Sequence, residues 1–316
     1  MNRIILGIET SCDDTSIAIM KNGKLLSNIT FTPNNINKKY GGIVPELSAR
    51  FHCEYIDKAF WQCIKNAKIK ISDITHVAYT SEPGLAGSLH IGKIFANQIA
   101  MLLNLKPMKI NHNIAHIFSY FIDHNFKKNF FPFLALIVSG GNTFIALVFD
   151  FDNIKILNQT VDDAVGEVLD KIGRALKLPY PGGKSIDSIF TNRKNINLFK
   201  HLPANNKFSF AGLKTRILNI IIQKKYSKST IASSALKWVI TELKMKLSYY
   251  LSKFPLVTSI IIGGGVSANK QLRKSLQTLK KIKCFFPTKT FANDNAAMIA
   301  KLADLKIINC KSKNAL

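Results

Sequence analysis

His112 and His116 stand four residues apart, just after the apolar run that ends at Ile110. On a helix this spacing puts both imidazoles on one face, within reach of a single metal ion. Zinc peptidases of the HExxH type carry their general base directly after the first histidine. Here Asn113 fills that position, so the glutamate base is missing and a metallopeptidase is disfavoured. Taken alone, the pair also fits one core histidine and one surface histidine. A third ligand has to come from elsewhere, and the best candidate is Asp294 in Phe291-Ala292-Asn293-Asp294-Asn295-Ala296-Ala297-Met298, a carboxylate at an expected helix start. On the sequence alone that position reads first as a helix N-cap. Two imidazoles and one carboxylate with open positions suit a catalytic Fe2+ or Zn2+ rather than a closed structural site.

Other residues fit polyanion chemistry. The small residues Ser139-Gly140-Gly141 let backbone N–H groups approach an anion, and Gly263-Gly264-Gly265 before a helix does the same, with Asn269 in reach of a ligand. Each is also an ordinary turn. Asp13 and Asp14 in the first turn could hold a metal-bound phosphate, orient water or merely solvate the turn. Asp162, Asp163, Glu167 and Asp170 recur at helical spacing, with Asp163, Glu167 and Asp170 on one face.

The elements that must position these residues repeat. Residues 4–8, 16–20 and the run from Lys24 read as a three-stranded meander, and 133–138, 144–149 and 154–157 read as another. A strand, glycine turn and helix follow twice, at 76–100 and at 259–279. This argues for a duplicated α/β domain with a cleft between its halves. The expected division is an N-terminal half over 1–111, a C-terminal half over 112–293 with an insertion near 160–215, and a C-terminal helix and tail over 294–316 packing back toward the first half. Within the insertion, 161–176 reads as helix, Pro179–Gly183 as a break and 190–210 as an irregular lid or substrate loop. A long helix is expected over 229–251, with Trp238 and Leu243 in the core, and another over 294–307.

The composition, 47% hydrophobic and 20% charged with 17 Gly and 10 Pro in 316 residues, excludes collagen-like and disordered chains. A formal charge of +25 favours a polyanionic partner, nucleic acid first, with Lys127-Lys128, Lys194, Lys200 and Lys224-Lys225 as candidate contacts. Only Arg3, Arg50, Arg174, Arg193, Arg216 and Arg273 are arginines; this lysine bias, beside much Ile, Asn and Phe, also fits an A/T-rich coding background. Five cysteines without CxxC spacing predict no disulfide, and no apolar run is long enough to span a bilayer. A cytoplasmic protein is expected.

Together ETSCDDTS (9–16), YGGIVPELSARFH (40–52), PGLAGSLHIG (83–92), HNIAH (112–116), VSGGNT (138–143), DDAVGEVLDK (162–171), YPGG (180–183), FSFAGLKT (208–215), GGGVSAN (263–269) and NDNAAMIA (293–300) resemble one family, collinearly from residue 4 to about 302. It is the universal tRNA N6-adenosine threonylcarbamoyltransferase family, TsaD in bacteria. The resemblance implies a duplicated ribonuclease-H-like fold of the actin-like ATPase superfamily. It also implies transfer of threonylcarbamoyl from threonylcarbamoyl-AMP to N6 of adenosine 37 in ANN-decoding tRNAs. By the same resemblance His112, His116 and Asp294 match metal ligands, with Fe2+ favoured over Zn2+. Ile137, Val138, Ser139, Gly140, Gly141, Asp170, Gly183, Asp187 and Asn269 match substrate positions, and Asp13 matches a catalytic acid. A separate synthase would supply the acyl-adenylate, and a paralogous subunit, TsaB, and a small ATPase, TsaE, would be partners. Asp14, Asn142 and Ala211 replace the family's usual Glu, His and Ser, and none of these is a metal-ligand position. Two other classes compete. A kinase or ATPase of the same superfamily explains the glycine turns but leaves the triad unused, and a non-catalytic subunit would have lost the ligands and glycines that are present.

Overall fold

The computed structural model describes residues 2–192, 196–279 and 282–313. They form two compact units, Met1–Phe126 with Pro287–Leu316, and Lys127–Phe286.

In the first unit β1 (Ile4–Glu9), β2 (Thr15–Lys21) and β3 (Lys24–Phe31) make the expected antiparallel meander. β1 pairs in parallel with β4 (His76–Glu82), and β4 with β5 (Met108–Asn111), giving the order β3-β2-β1-β4-β5. Every residue of β1 is buried, so an Ile-rich run with no polar alternation is what a strand covered on both faces requires. On one face Leu6, Ile8, Ile17 and Ile19 pack against Ile56, Ala59 and Phe60 of α2 (Pro45–Ala67) and Ala96 of α3 (Ala86–Leu102). On the other lies the C-terminal helix α10 (Ala296–Lys313), which contacts β1 and β2. The approach is so close that a Cβ on Gly7 would fall 2.5 Å from Ala296 O, which is why this strand carries a glycine. Two short helices complete the unit, α1 (Asn34–Tyr40) and α4 (His112–Phe118). The sequence set limits at 111 and 293, whereas the compact units divide at Phe126 and Pro287. α4 packs on α10, and Thr288 Oγ1 donates to Asp123 at 2.8 Å, so both flanking segments belong with the first sheet.

The second unit repeats the plan. β6 (Phe133–Val138), β7 (Thr143–Val148) and β8 (Ile154–Gln159) form the meander, and β9 (Ser259–Gly263) and β10 (Lys283–Phe285) add in parallel on the β6 side. The order β10-β9-β6-β7-β8 is that of the first sheet read from its other edge. The duplicated ribonuclease-H-like α/β architecture expected from the sequence is the one present. Leu134, Leu136 and Val138 meet Val168, Leu169 and Ile172 of α5 (Val165–Ala175) and Leu236, Val239 and Leu243 of α8 (Lys228–Lys253). Trp238 and Leu243 are both core residues, as read.

Three elements differ from the sequence reading. The helix after β9 is shorter, a 3-10 turn over Gly265–Ala268 followed by α9 (Lys270–Leu276). The glycine stretch read as a break starts α6 (Gly182–Ser188), and α7 (Ala211–Ile222) follows the irregular segment. Among the described residues, 190–210 holds no helix or strand, and it is stitched to α8. The amides of Thr191 and Ile196 donate to Ser233 Oγ (2.8 Å) and Ser234 Oγ (2.9 Å), and Trp238 Nε1 donates to Phe199 O (3.1 Å). Buried Glu242 lies 2.8 Å from His201 Nδ1 and 2.9 Å from Lys246 Nζ, which also donates to Asn206 O.

Candidate functional site

The first unit gathers three predicted residues. β5 ends at Asn111, whose side chain accepts from Ile114 N at 3.1 Å and so starts α4 at His112. One turn on, His116 lies beside it, the rings 4.6 Å apart at 84°. At the far end of the chain two side chains compete to cap α10. Asn295 does so, accepting from Met298 N at 3.0 Å, so the capping role open to Asp294 in the sequence falls to its neighbour. The start of α10 is pinned by Ala296 N to Ser16 Oγ (2.9 Å) and Ala297 N to Asn28 Oδ1 (3.0 Å). Asp294 Oδ1 is thereby set 3.1 Å from His116 Nε2 and 3.6 Å from His112 Nε2. One ligand atom from each residue lies within 4.8 Å of the others, a set able to hold a metal ion.

The electrostatics follow from burial among opposite charges. Burial works against a charged His112, but the carboxylates of Glu9 and Asp294 outweigh it and raise its pKa to about 9. Burial likewise opposes ionisation of Asp294, and the two imidazoles overcome it, holding the carboxyl at about 2. Glu9, wholly buried, is held low by His112 against its own desolvation. Sequence reasoning gave Glu9 no role, because a carboxylate at the end of an apolar strand reads as the first residue of a turn.

Asp13 and Asp14 lie in the turn between β1 and β2, fixed from several sides. Asn37 Nδ2 of α1 donates to Asp13 Oδ2 at 2.7 Å, and Thr32 Oγ1 donates to Asp14 Oδ1. Buried His52 of α2 spans the turn, its Nε2 donating to Cys12 O (3.1 Å) while Nδ1 meets Thr15 Oγ1 (2.7 Å). Burial raises the Asp13 carboxyl, and burial together with Asp13 pushes the Asp14 carboxyl up to about 8.

The second unit holds the predicted substrate positions. Ile137 and Val138 are wholly buried at the end of β6, which leaves only their backbones for a ligand. Next to them the Ser139 loop is clamped by two glycines. A Cβ on Gly166 would fall 2.5 Å from Ser139 O, and one on Gly264, at φ +86°, would fall 2.5 Å from Val138 O. Gly140 and Gly141 face open space, with nothing within 4 Å of such a Cβ. Asp170 and Gly183 meet directly, the Gly183 amide donating to Asp170 Oδ1 at 3.2 Å, and burial raises this carboxyl. Asp187 and Asn269 share the first turn of α9. Asp187 accepts from the amides of Lys270 (3.0 Å) and Gln271 (3.4 Å), and Asn269 Oδ1 from Leu272 N (2.9 Å). The Asn269 amide nitrogen and Ser267 Oγ are buried with no hydrogen-bond partner among the described residues. Of the acids read at 162–170, Asp162 and Asp163 precede α5 while Glu167 and Asp170 lie on it. Lys171 pairs with Asp163 and Glu167, Lys214 pairs with Asp163, and Asp162 accepts from Ser209 Oγ and Phe210 N, so Asp162 and Asp163 fasten the 208–214 segment.

Among the described residues no helix is long and apolar enough to cross a membrane. Solved structures share the fold. HypF of T. kodakarensis superposes with a TM-score of 0.67 at 14% identity, over 98% of this chain and 48% of that one. Component A of the (R)-2-hydroxyglutaryl-CoA dehydratase of Acidaminococcus fermentans does so with 0.58 at 14%, over 97% and 99%. Sequence relatives are much nearer. The protein named tRNA N6-adenosine threonylcarbamoyltransferase in Ureaplasma parvum serovar 3 is 46% identical over 98% of this chain and 97% of its own length. The one so named in Thermosipho africanus is 42% identical over 94% and 92%. A family profile described as TsaD, tRNA N6-adenosine threonylcarbamoyltransferase, matches residues 24–301, and with relatives this close over nearly the whole length the chain belongs to that family.

Proposed function

We propose that this protein transfers the threonylcarbamoyl group of threonylcarbamoyl-AMP to N6 of adenosine 37 in ANN-decoding tRNAs, with a divalent metal at His112, His116 and Asp294. The observation that carries the reading is the meeting of Asp294 with two imidazoles, 178 residues from His116 in sequence and 3.1 Å from it in space. Two nitrogen donors and one carboxylate oxygen fit Fe2+, favoured here, or Zn2+. When bound, such an ion polarises a carbonyl oxygen as a Lewis acid.

In the reaction the N6–carbonyl bond forms, the carbonyl–O–phosphate bond breaks and AMP departs. The N6 proton passes to Asp13, which Asn37 holds in place. An exocyclic adenine amine is a poor nucleophile, so positioning and charge stabilisation carry most of the rate. In the second unit the outward-facing Gly140 and Gly141 leave room for acyl or phosphate oxygens at their amides, and the unpartnered Asn269 amide supplies a further donor. The net charge of +25 draws in tRNA. The separate synthase, TsaB, TsaE and a cytoplasmic setting belong to the same proposal and rest on family resemblance.

The test is metal content of anaerobically purified protein alongside transfer of labelled threonylcarbamoyl to tRNA. Four-ligand zinc sites are worth about 10–16 kcal/mol, so losing one ligand in His112→Ala, His116→Ala or Asp294→Ala weakens retention by roughly two orders of magnitude. Transfer is abolished and the far-UV circular dichroism is kept. Variants with full metal and full transfer would overturn the assignment.

A further inference from the structure

We infer that Glu9 is a positioning residue of the metal centre, holding His112 with Nδ1 protonated and Nε2 presented to the ion. The inference rests on the metal reading above.

His112 has its two ring nitrogens in different surroundings. Nε2 faces Asp294 Oδ1 at 3.6 Å, and Nδ1 faces Glu9 Oε2 and Ser11 Oγ, each at 3.1 Å. Glu9 is 0% exposed, a costly place for a carboxylate unless its oxygens are satisfied. Its Oε1 accepts from Ser11 N at 2.6 Å and its Oε2 from Thr80 Oγ1, so donors from two segments fix its orientation. An ionised carboxylate only accepts, so the ring nitrogen facing it carries a hydrogen, and Nε2 is the nitrogen that gives up its proton to a bound ion. A carboxylate behind a metal-binding histidine fixes tautomer and ring angle and raises ligand basicity. His116 has no equivalent, since its Nδ1 is buried without a partner among the described residues. Glu9 thus distinguishes two histidines that look alike in sequence, and it does so from the rigid end of β1.

A purely structural Glu9, tying β1 to β4 through Thr80, predicts a different result. Zn2+ affinity is measured by competition with a chromophoric chelator, and the ligand field by the visible spectrum of the Co2+-loaded protein. Glu9→Gln is expected to weaken Zn2+ binding about 10–100-fold and to shift the Co2+ bands with the fold intact. In a His112→Ala background the same change is expected to add nothing. If Glu9→Gln does not fold, Thr80→Val, which only loosens Oε2, is expected to weaken Zn2+ several-fold with the same dependence on His112. Unchanged affinity in the folded variants, or an equal loss without His112, overturns the inference. If His116→Ala and Asp294→Ala also leave Zn2+ binding unchanged, the metal reading falls with it. If they weaken it, the role of Glu9 falls alone.

Discussion

Lys246→Met should be among the most damaging substitutions away from the proposed site. The Lys246 side chain is 0% exposed and that of Glu242 2%, so water cannot replace either partner. Breaking a buried pair from one side costs about 3–5 kcal/mol, because a charge is left without its partner. The structure ranks the two single changes within that range. Lys246→Met leaves Glu242 with His201 Nδ1 at 2.8 Å and falls at the low end. Glu242→Leu leaves an ammonium with no anion, only the carbonyls of Asn206 (3.0 Å) and Pro203 (3.5 Å) and the ring of Phe208 (5.5 Å), and falls at the high end. The double variant strands only the imidazole of His201, since Asn206 O still accepts from Asn158 Nδ2 (2.9 Å) and Pro203 O from Asn206 N (2.9 Å), and it should recover most of the loss, about 2 kcal/mol or more of coupling. Urea unfolding is the assay, read by Trp238, which stacks on His201 at 4.6 Å, in a Trp61→Phe background. Single variants costing less than about 1 kcal/mol, or a double variant as costly as their sum, would refute the argument.

Three further outcomes are expected. Lys214 and Lys171 hold the Asp163 carboxyl below its ordinary value, so its stabilisation is present above the unfolded pKa and is lost as pH falls through the folded one. Asp163→Asn should therefore lower the urea midpoint at pH 7, with the gap to wild type closing below about pH 4; a gap independent of pH would contradict this. Gly264→Ala should destabilise, at φ +86° with Val138 O 2.5 Å from the new methyl, whereas Gly140→Ala should keep the melting temperature and weaken only binding of the acyl-adenylate. Equal melting temperatures for the two would count against the clamp. Lys127, Lys200, Lys224 and Lys225 are all exposed, while Lys194 lies outside the described residues. Each Lys→Glu change that removes a phosphate contact should cut the salt slope of tRNA binding by about one, and unchanged slopes would mark the charge as compositional.

What the sequence revealed depended on whether a residue's partner was local. The two meanders were legible because strands covered on both faces appear as apolar runs, such as Ile4–Ile8 and Phe133–Val138, broken by Asp13-Asp14 or Gly140-Gly141. α6 was not. Pro181-Gly182-Gly183 has poor helix propensity, yet Gly182 lies so close to α5 that a Cβ on Gly173 would come 2.6 Å from its Cα, and packing overrides propensity there. His112 and His116 showed themselves by spacing. Asp294 stayed ambiguous because Asn295 beside it can cap a helix equally well, and only the fold shows which of them does. Glu9 could not be found by pattern, since its partner His112 lies 103 residues away.

The first unit is made of two separated stretches of chain, with all of Lys127–Phe286 between them. On a ribosome adding about 5–20 residues per second, the 178 residues between His116 and Asp294 correspond to roughly 9–36 s of synthesis. Through that interval the two imidazoles exist without their carboxylate, β1 waits for the helix that covers Gly7, and the second unit can fold first. The proposed centre is therefore assembled last. A nascent chain released before Asp294 is added, whatever part of it has folded, lacks the third residue of the proposed ligand set.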